Sequence, residues 1–366
     1  MRVNIAFAAS FRRKRQFVAA PIAQQMSNPH VPDSAHWDAA FEHYHWDRLA
    51  EAYDEVQKWG IGEAGGYLRW YRVIEAEAVT REQSVILPIN DWLSLEVVQR
   101  HAEVYRRELV DRIVGTCDLV ADRFGWDHRE KTMISILAEE TDAPWATHPY
   151  GYCVRKEHYE KICLPDYLVE NMDEFLQAVA HEYTHVISEA FADGYAPRWM
   201  EEALSVLVES RFDTETWEEF RTGEIPWKSA FELELTLEGR SSEDEPGFEM
   251  DMAIVMATPM EDFEPLEDDD EEEEEEAVAS EQDSGKEVWR AYQQSGWIGR
   301  YLASLGDERR ISRLLHQIAD ESPEWNLDRT LKRKDRVEAA LETVYGFGVK
   351  DLFALSLDFL RAQEAV

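Results

Sequence analysis

The chain has 366 residues, a hydrophobic content of 44% and a formal net charge of -38. Its length and apolar content are sufficient for one large domain or two lobes with a buried core. The strong negative charge repels nucleic acids and anionic membrane surfaces, so it excludes both as partners of the whole protein but remains compatible with a basic partner.

The N-terminal arm is basic, since the first 32 residues contain no acidic residue and carry RRKR at 12–15. These charges follow a short apolar stretch instead of preceding it, so we predict a disordered arm, with a transit-type peptide as the alternative. The three cysteines show no CxxC spacing and indicate a reducing compartment without a disulfide framework. No run of 18 apolar residues occurs, so we predict a soluble, cytoplasmic protein without a membrane span.

The first periodic region predicts helices. Between Trp37 and Trp126 apolar residues recur three and four positions apart over several turns. Two segments that follow favour strands: KTMISILAEE at 131–140 is a short apolar and β-branched run, and GYCVRKEHYEKICLP at 151–165 predicts one or two strands.

Two helices are predicted after these strands. Asn171 and Glu174 have the spacing of a helix-capping pair, and the apolar residues beyond them follow a helical period. A loop with Gly194 and Pro197 separates this helix from an amphipathic one at 198–212.

The next region is an acidic insertion. Residues 241–286 read as disordered, and ten consecutive acids at 267–276 supply about a quarter of the net charge. The run MAIVMATPM inside this region is a candidate docking element. From about Glu287 to the C terminus the pattern predicts helices again.

The stretch QAVAHEYTHVISEA, Gln177 to Ala190, carries the clearest chemical pattern. On a helix, residues four apart lie on one face with Cβ atoms about 5–6 Å apart, so His181 and His185 can offer both imidazoles to one metal ion. Zinc suits two neutral nitrogens, a third protein ligand and an open position. Glu182 lies about 100° round the helix from His181, beside the metal, where it can act as a general base. The alternative is an amphipathic helix with histidines on its solvent face.

The third ligand is expected on the helix at 198–212. Glu201, Glu202 and Glu209 all lie there, and periodicity does not choose between the first two. Glu209, two turns beyond Glu202, is a candidate for the carboxylate that orients a ligating histidine.

The two segments together resemble the gluzincin metallopeptidases, the thermolysin and aminopeptidase-like group. HEYTH followed by APRWMEEALSVLVE is similar to their HExxH motif and the later helix of the form P-x-W-x-x-E-G-x-A. Pro197 and Trp199 match this pattern, and the resemblance implies Glu202 as the third zinc ligand. Ala203 and Ser205 replace the glycine and alanine of the family pattern, which are substitutions between small residues.

The resemblance covers roughly residues 131–212 and 287–362, since the C-terminal helices are similar to the C-terminal lobe of compact peptidases of this type. It implies a residue of that lobe that stabilises the oxyanion of the reaction. Tyr292 is the candidate, with Tyr301 and His316 as alternatives.

These observations predict an α+β protein with a zincin-like catalytic lobe, in which the HExxH helix packs on a small mixed sheet, followed by a helical C-terminal lobe. The expected activity is that of a zinc metallopeptidase acting on a peptide or protein substrate, with one Zn²⁺ per chain on His181, His185 and Glu202, and with Glu182 and Tyr292 catalytic. A silent or latent zinc-binding scaffold that uses the acidic insertion to bind a basic partner is the alternative. The predicted regions are a basic arm at 1–35, a helical region at 36–126, the catalytic lobe at 127–213, the insertion at 214–286 and the C-terminal lobe at 287–366.

Overall fold

A computed structural model describes residues 34–58, 68–127, 129–137, 151–210, 212–238, 271–320 and 329–363. Within these ranges the protein is a mixed α+β structure, mostly helical, with a small five-stranded sheet. The predicted basic arm before Ser34 and residues 239–270 of the predicted insertion, including the candidate docking element, lie outside the described residues. The helices are α1 (Ser34–His45), α2 (Leu49–Gln57), α3 (Leu68–Gln83), α4 (Ala102–Glu108), α5 (Val110–Phe124), α6 (Met172–Ala192), α7 (Arg198–Glu209), α8 (Thr214–Thr222), α9 (Ala230–Glu238), α10 (Glu271–Ser304), α11 (Glu308–Asp320), α12 (Arg329–Tyr345) and α13 (Val349–Ala362).

The sheet combines parallel and antiparallel neighbours in the order β1-β2-β3-β5-β4. Its central strands β2, β3 and β5 run parallel, while β1 and β4 pair antiparallel with β2 and β5 at the two edges. The register pairs Leu95 with Ile134 and Ile134 with Ile162 across the middle of the sheet. The strands are β1 (Ser84–Pro88), β2 (Leu93–Val98), β3 (Thr132–Leu137), β4 (Tyr152–Arg155) and β5 (Glu160–Pro165).

The strands β1 and β2 correct the prediction of a wholly helical region at 36–126. They form a hairpin whose turn is held by Asn90, since its side-chain oxygen accepts the backbone N–H groups of Trp92 and Leu93 at 3.0 and 2.8 Å. Five of the six residues of β2 are buried, although its sequence LSLEVV alternates apolar and polar residues over its first five positions, because Glu96 is buried in ion pairs with Arg81 and Lys161. Such alternation favours a strand, so the local sequence carried a strand signal that the helical prediction overlooked. The predicted region boundary at residue 126 therefore separates β1 and β2 from the other three strands of the same sheet.

The two faces of the sheet carry different layers. Along β4, Cys153 packs into the cluster formed with α5 and α6, whereas Tyr152 and Val154 pack into the cluster formed by α1, α2 and α3. This alternation is the period of two expected for a strand. The N-terminal helices thus cover one face of the sheet, and α6, which carries the two candidate histidines, covers the other.

A buried network of charged groups joins the N-terminal layer to the sheet. Glu77 of α3 accepts a hydrogen bond from Lys161 of β5 at 2.8 Å and from the hydroxyls of Tyr44 and Tyr152 at 2.5 and 2.9 Å. Lys161 also lies 3.2 Å from Glu96 of β2. Because these groups are almost completely buried, each charge depends on its partners for stabilisation.

Helix α6 is buried on nearly all sides. Asn171 caps its first turn, since its side-chain oxygen accepts the N–H of Glu174, as the sequence predicted. The helix contacts β4, β5, α5, α7 and α11, so most of its side chains are enclosed. The predicted polar face is therefore not a solvent face, because α7 covers the side that carries the histidines.

Helix α10 crosses α7 at short distance because two glycines face it. A Cβ atom on Gly299 would lie 2.3 Å from the carbonyl oxygen of Ala203, and one on Gly296 would lie 2.5 Å from a methyl group of Val206. Helix α10 begins at Glu271, inside the acid run and before the predicted start at Glu287. Among the described residues, no helix is both long and apolar enough to cross a bilayer.

Candidate metal centre

Two neighbouring turns of α6 bring His181 and His185 together. Their ring centroids are 5.1 Å apart, and the side chains are 2% and 1% exposed. This is the arrangement that the spacing of four residues predicts on one helix face. A fully buried pair of imidazoles is costly unless the ring nitrogens have partners.

Helix α7 brings a carboxylate close to both rings. The carboxylate oxygen Oε2 of Glu202 lies 3.3 Å from Nε2 of His181, and Oε1 lies 3.7 Å from Nε2 of His185. One ligand atom from each of the three residues can be chosen such that all lie within 4.8 Å of one another. Ligand atoms on a tetrahedral zinc, with bonds of about 2.0–2.1 Å, lie roughly 3.4 Å apart. The three side chains could therefore hold a metal ion.

The three glutamates of α7 have different surroundings, which separates the alternatives that the sequence left open. Glu202 faces both imidazoles and is completely buried, whereas Glu201 lies 3.6 Å from Arg198. Glu209 lies with Oε2 at 2.9 Å from Nδ1 of His181, on the side of the ring away from Glu202. A carboxylate in this position fixes the orientation and tautomer of the imidazole.

Arg198 is part of the site, although the sequence reasoning did not select it. Its guanidinium lies 2.6 Å from Oε1 of Glu202, one helical turn away on α7. Burial alone would lower the pKa of Arg198, but Glu202 first, and then Tyr292, Glu201 and Glu182, raise it above its ordinary value. Its spacing of four residues before Glu202 was the available signal.

The carboxylate of Glu202 stays ionised in this environment. Burial would raise its pKa, but the charge of Arg198, followed by that of His185 and His181, holds the pKa well below the usual range for a glutamate. Metal ligands of this kind must be deprotonated. The donor set of two imidazoles and one ionised carboxylate therefore fits a zinc-like ion.

The start of α7 is fixed from outside the helix. The carboxylate of Glu234 on α9 accepts the backbone N–H groups of Arg198 and Trp199 at 2.9 and 3.0 Å. These are N–H groups without partners inside the helix, so Glu234 acts as a cap supplied by another element. No sequence signal pointed to this contact, because it joins residues 36 positions apart.

The remaining predicted residues lie at different distances from this cluster. Glu182 is buried and directly follows His181 in the sequence. Its negative charge raises the pKa of Arg198 and that of Cys153. The ring of Tyr292 lies 6.5 Å from that of His181. Tyr301 packs instead on Phe347 and Phe359.

The second alternative to Tyr292 is also separated from the histidines. His316 packs on Phe191 with ring centroids 4.3 Å apart. Phe191 is ten residues along α6 from His181, a distance of about 15 Å on a helix. Of the three candidates in the C-terminal lobe, only Tyr292 is brought to the cluster.

The fold and the site define an α+β protein with a buried cluster of two histidines and one glutamate that could hold a metal ion. Comparison of the chain with protein-family models, with curated proteins and with solved structures found no match.

Proposed function

We propose that the protein is a zinc-dependent metallopeptidase of the gluzincin type that hydrolyses peptide bonds as an endopeptidase or oligopeptidase. The observation that carries this proposal is the convergence of Glu202 on His181 and His185, with Glu182 next to the first histidine. A structural ion would need no carboxylate at the position of Glu182, whereas hydrolysis requires a base there.

Zinc is the ion that this donor set favours. Two imidazoles and one carboxylate are the protein ligands of several catalytic zinc sites, where a fourth position stays open. Bound at one ion per chain, Zn²⁺ would polarise a substrate carbonyl and acidify a water molecule. His181 and His185 would hold the ion through Nε2, and the contact of Glu209 with Nδ1 of His181 supports this assignment.

Two residues near the cluster would have separate roles in hydrolysis. Glu182 would accept a proton from the attacking water and return it to the leaving amine. Tyr292, beside His181, would donate a hydrogen bond to the developing oxyanion. The zincin-like arrangement also includes a strand for the substrate, and β4 pairs only with β5 among the described strands. An extended peptide could add to the outer side of β4.

The test is cleavage of a diverse peptide mixture, read by mass spectrometry, with zinc measured in the same preparations. Wild-type protein is expected to produce fragments, and Glu182→Gln is expected to produce none while retaining one zinc per chain. Glu189→Gln is the matched control, because Glu189 is also a buried acid of α6 but contacts Arg155. Equal cleavage by wild type and Glu182→Gln would exclude the proposed base.

A second candidate function is supported by the burial of the site. The side chains of His181, His185 and Glu202 are between 0% and 2% exposed, so a substrate could reach them only after a movement. The alternative is a silent or latent zinc-binding scaffold, in which the acidic segment binds a basic partner. The sequence supports such a partner through the acid run at 267–276.

Deletion of residues 241–270 separates the two functions while leaving α10 intact. Cleavage that appears only after the deletion would identify a latent peptidase. Zinc at one per chain without cleavage in either form would favour the scaffold. A cytoplasmic location remains a prediction from the sequence, to be checked by cell fractionation.

A further inference from the structure

The guanidinium of Arg198 is enclosed within the candidate metal centre. Its side chain is 11% exposed, and one of its terminal nitrogens lies 2.6 Å from Oε1 of Glu202. Its charge also interacts with those of Glu201 and Glu182. An arginine is well suited to this position because it stays charged when buried and donates in a fixed planar geometry.

The two oxygens of Glu202 consequently have different surroundings. Oε2 lies 3.3 Å from Nε2 of His181, the atom expected to bind a metal. Oε1 forms an ion pair with a terminal nitrogen of Arg198 at 2.6 Å and lies 3.7 Å from Nε2 of His185. An ion pair this close and this buried is screened less by water than one at the surface. The ion pair therefore favours one orientation of the carboxylate before any ion arrives.

The position of Arg198 is fixed without help from a metal. Its backbone N–H donates to Glu234, and its second terminal nitrogen lies 3.6 Å from Glu201. The close packing of α10 on α7 at Ala203 limits movement of the same helix. The backbone contact and the packing come from two helices besides α7, so the helical turn that carries Arg198 is held in place.

We propose that Arg198 is a positioning residue. It keeps Oε1 of Glu202 in an ion pair, so that this glutamate binds a metal ion through Oε2 alone. The proposal rests on the metal binding of the proposed function but not on peptide hydrolysis. Its consequence is that one coordination position stays open, which separates a catalytic from a structural zinc site. Without Arg198, both carboxylate oxygens of Glu202 are available to the ion.

Cobalt(II) provides a direct readout, because its visible absorption is strong in four-coordinate sites and weak in six-coordinate ones. Wild-type protein loaded with Co²⁺ is expected to show the strong absorption. In Arg198→Met, which keeps an unbranched side chain without the charge, the absorption is expected to fall severalfold while one ion per chain is retained. Peptide cleavage by the zinc form of Arg198→Met is expected to fall roughly 10- to 100-fold, the usual effect of replacing a residue that contacts a metal ligand.

Two further variants separate the proposed role from simple charge neutralisation. Arg198→Lys keeps a cationic donor and is expected to retain the strong absorption. Arg290→Met is the matched control, because Arg290 pairs with Glu219 on α8 instead of with a ligand, and it is expected to match the wild type. An ion pair needed only for stability would change the unfolding temperature of Arg198→Met but leave its Co²⁺ spectrum unchanged.

The outcomes are distinct. Identical spectra of wild type and Arg198→Met, each with one Co²⁺ per chain, would overturn the proposal and leave the proposed peptidase standing. Weak absorption in the wild type would also overturn it, and this measurement decides the question even if Arg198→Met does not fold. Failure of the wild type to bind Co²⁺ or Zn²⁺ would overturn the metal centre itself.

Discussion

Glu209 and His181 are 28 residues apart in the chain, yet Oε2 of Glu209 lies 2.9 Å from Nδ1 of His181. A carboxylate can only accept this hydrogen bond, so Nδ1 carries the proton and the lone pair of Nε2 is available to a metal ion. The contact therefore selects the tautomer of His181 that the proposed metal site would require.

Replacing Glu209 by Gln should weaken metal binding. The amide can donate to Nδ1 as well as accept from it, so the tautomer is no longer fixed, and the apparent zinc affinity is expected to fall about 10- to 100-fold. Competition with a zinc chelator measures this change. Glu219→Gln, a partly buried acid of α8 paired with Arg290, is the control and is expected to leave the affinity unchanged.

The buried network around Glu77 makes a separate prediction about stability. Glu77→Gln removes one charge and leaves Lys161 and Lys156 buried beside a neutral group. The free energy of unfolding is expected to fall by about 3–5 kcal/mol, the usual cost of breaking a buried ion pair. Urea denaturation followed by circular dichroism measures it. A loss below about 1 kcal/mol would mean that the lysines find other partners.

Acid should weaken the same network. Burial would raise the pKa of Glu77, but Lys156 and Lys161 lower it well below the ordinary value. A carboxylate with a lowered pKa contributes stability that is present above its unfolded pKa of about 4.3 and is lost as the pH falls below it. Glu77→Gln should therefore lose less stability than the wild type between about pH 5 and 2.

Glu160 should give the opposite pH dependence. Burial raises its pKa to about 8, with Glu189 and Glu130 adding to the effect and Arg155 opposing it. A carboxyl group with a raised pKa stabilises the folded state at low pH, and this contribution is lost as the pH rises from about 4.3 towards 8. Glu160→Gln should raise the melting temperature more at pH 8 than at pH 5. Glu170→Gln, at an exposed position, should change neither value.

Gly299 tests the packing of α10 on α7. In Gly299→Ala the new methyl group would meet the carbonyl oxygen of Ala203, next to Glu202, at 2.3 Å. The helices must separate, so we expect a loss of about 1–3 kcal/mol in unfolding free energy, together with weaker zinc binding. In Gly115→Ala the methyl group meets nothing within 4 Å, so this variant should gain about 0.5–1 kcal/mol. Thermal unfolding and chelator competition compare the two.

The sequence was sufficient for the parts of the site that lie on single helices. The spacing of His181 and His185, the capping pair of Asn171 and Glu174, and the helix that follows are all local patterns, and the structure contains each of them. The presence of a small mixed sheet was also predicted, although two of its strands were missed.

The missed features depend on contacts between distant segments. Glu234 meets the start of α7 only because α9 packs there, and no period in the sequence records that packing. The strand β2 is an exception, because the alternation in LSLEVV is a local strand signal that the prediction of a wholly helical region overlooked. Arg198 carried a usable signal in its spacing from Glu202, but a surface ion pair gives the same spacing.

The position of β2 between β1 and β3 limits how the protein can be divided. A fragment that begins at residue 127 keeps the HExxH helix but removes β1 and β2. One whole side of β3 would then present unpaired N–H and C=O groups, and such an exposed strand recruits strands from other chains. We therefore expect that fragment to aggregate. The shortest soluble unit carrying the metal centre should include the N-terminal helices, whose Glu77 neutralises Lys161 in the central sheet.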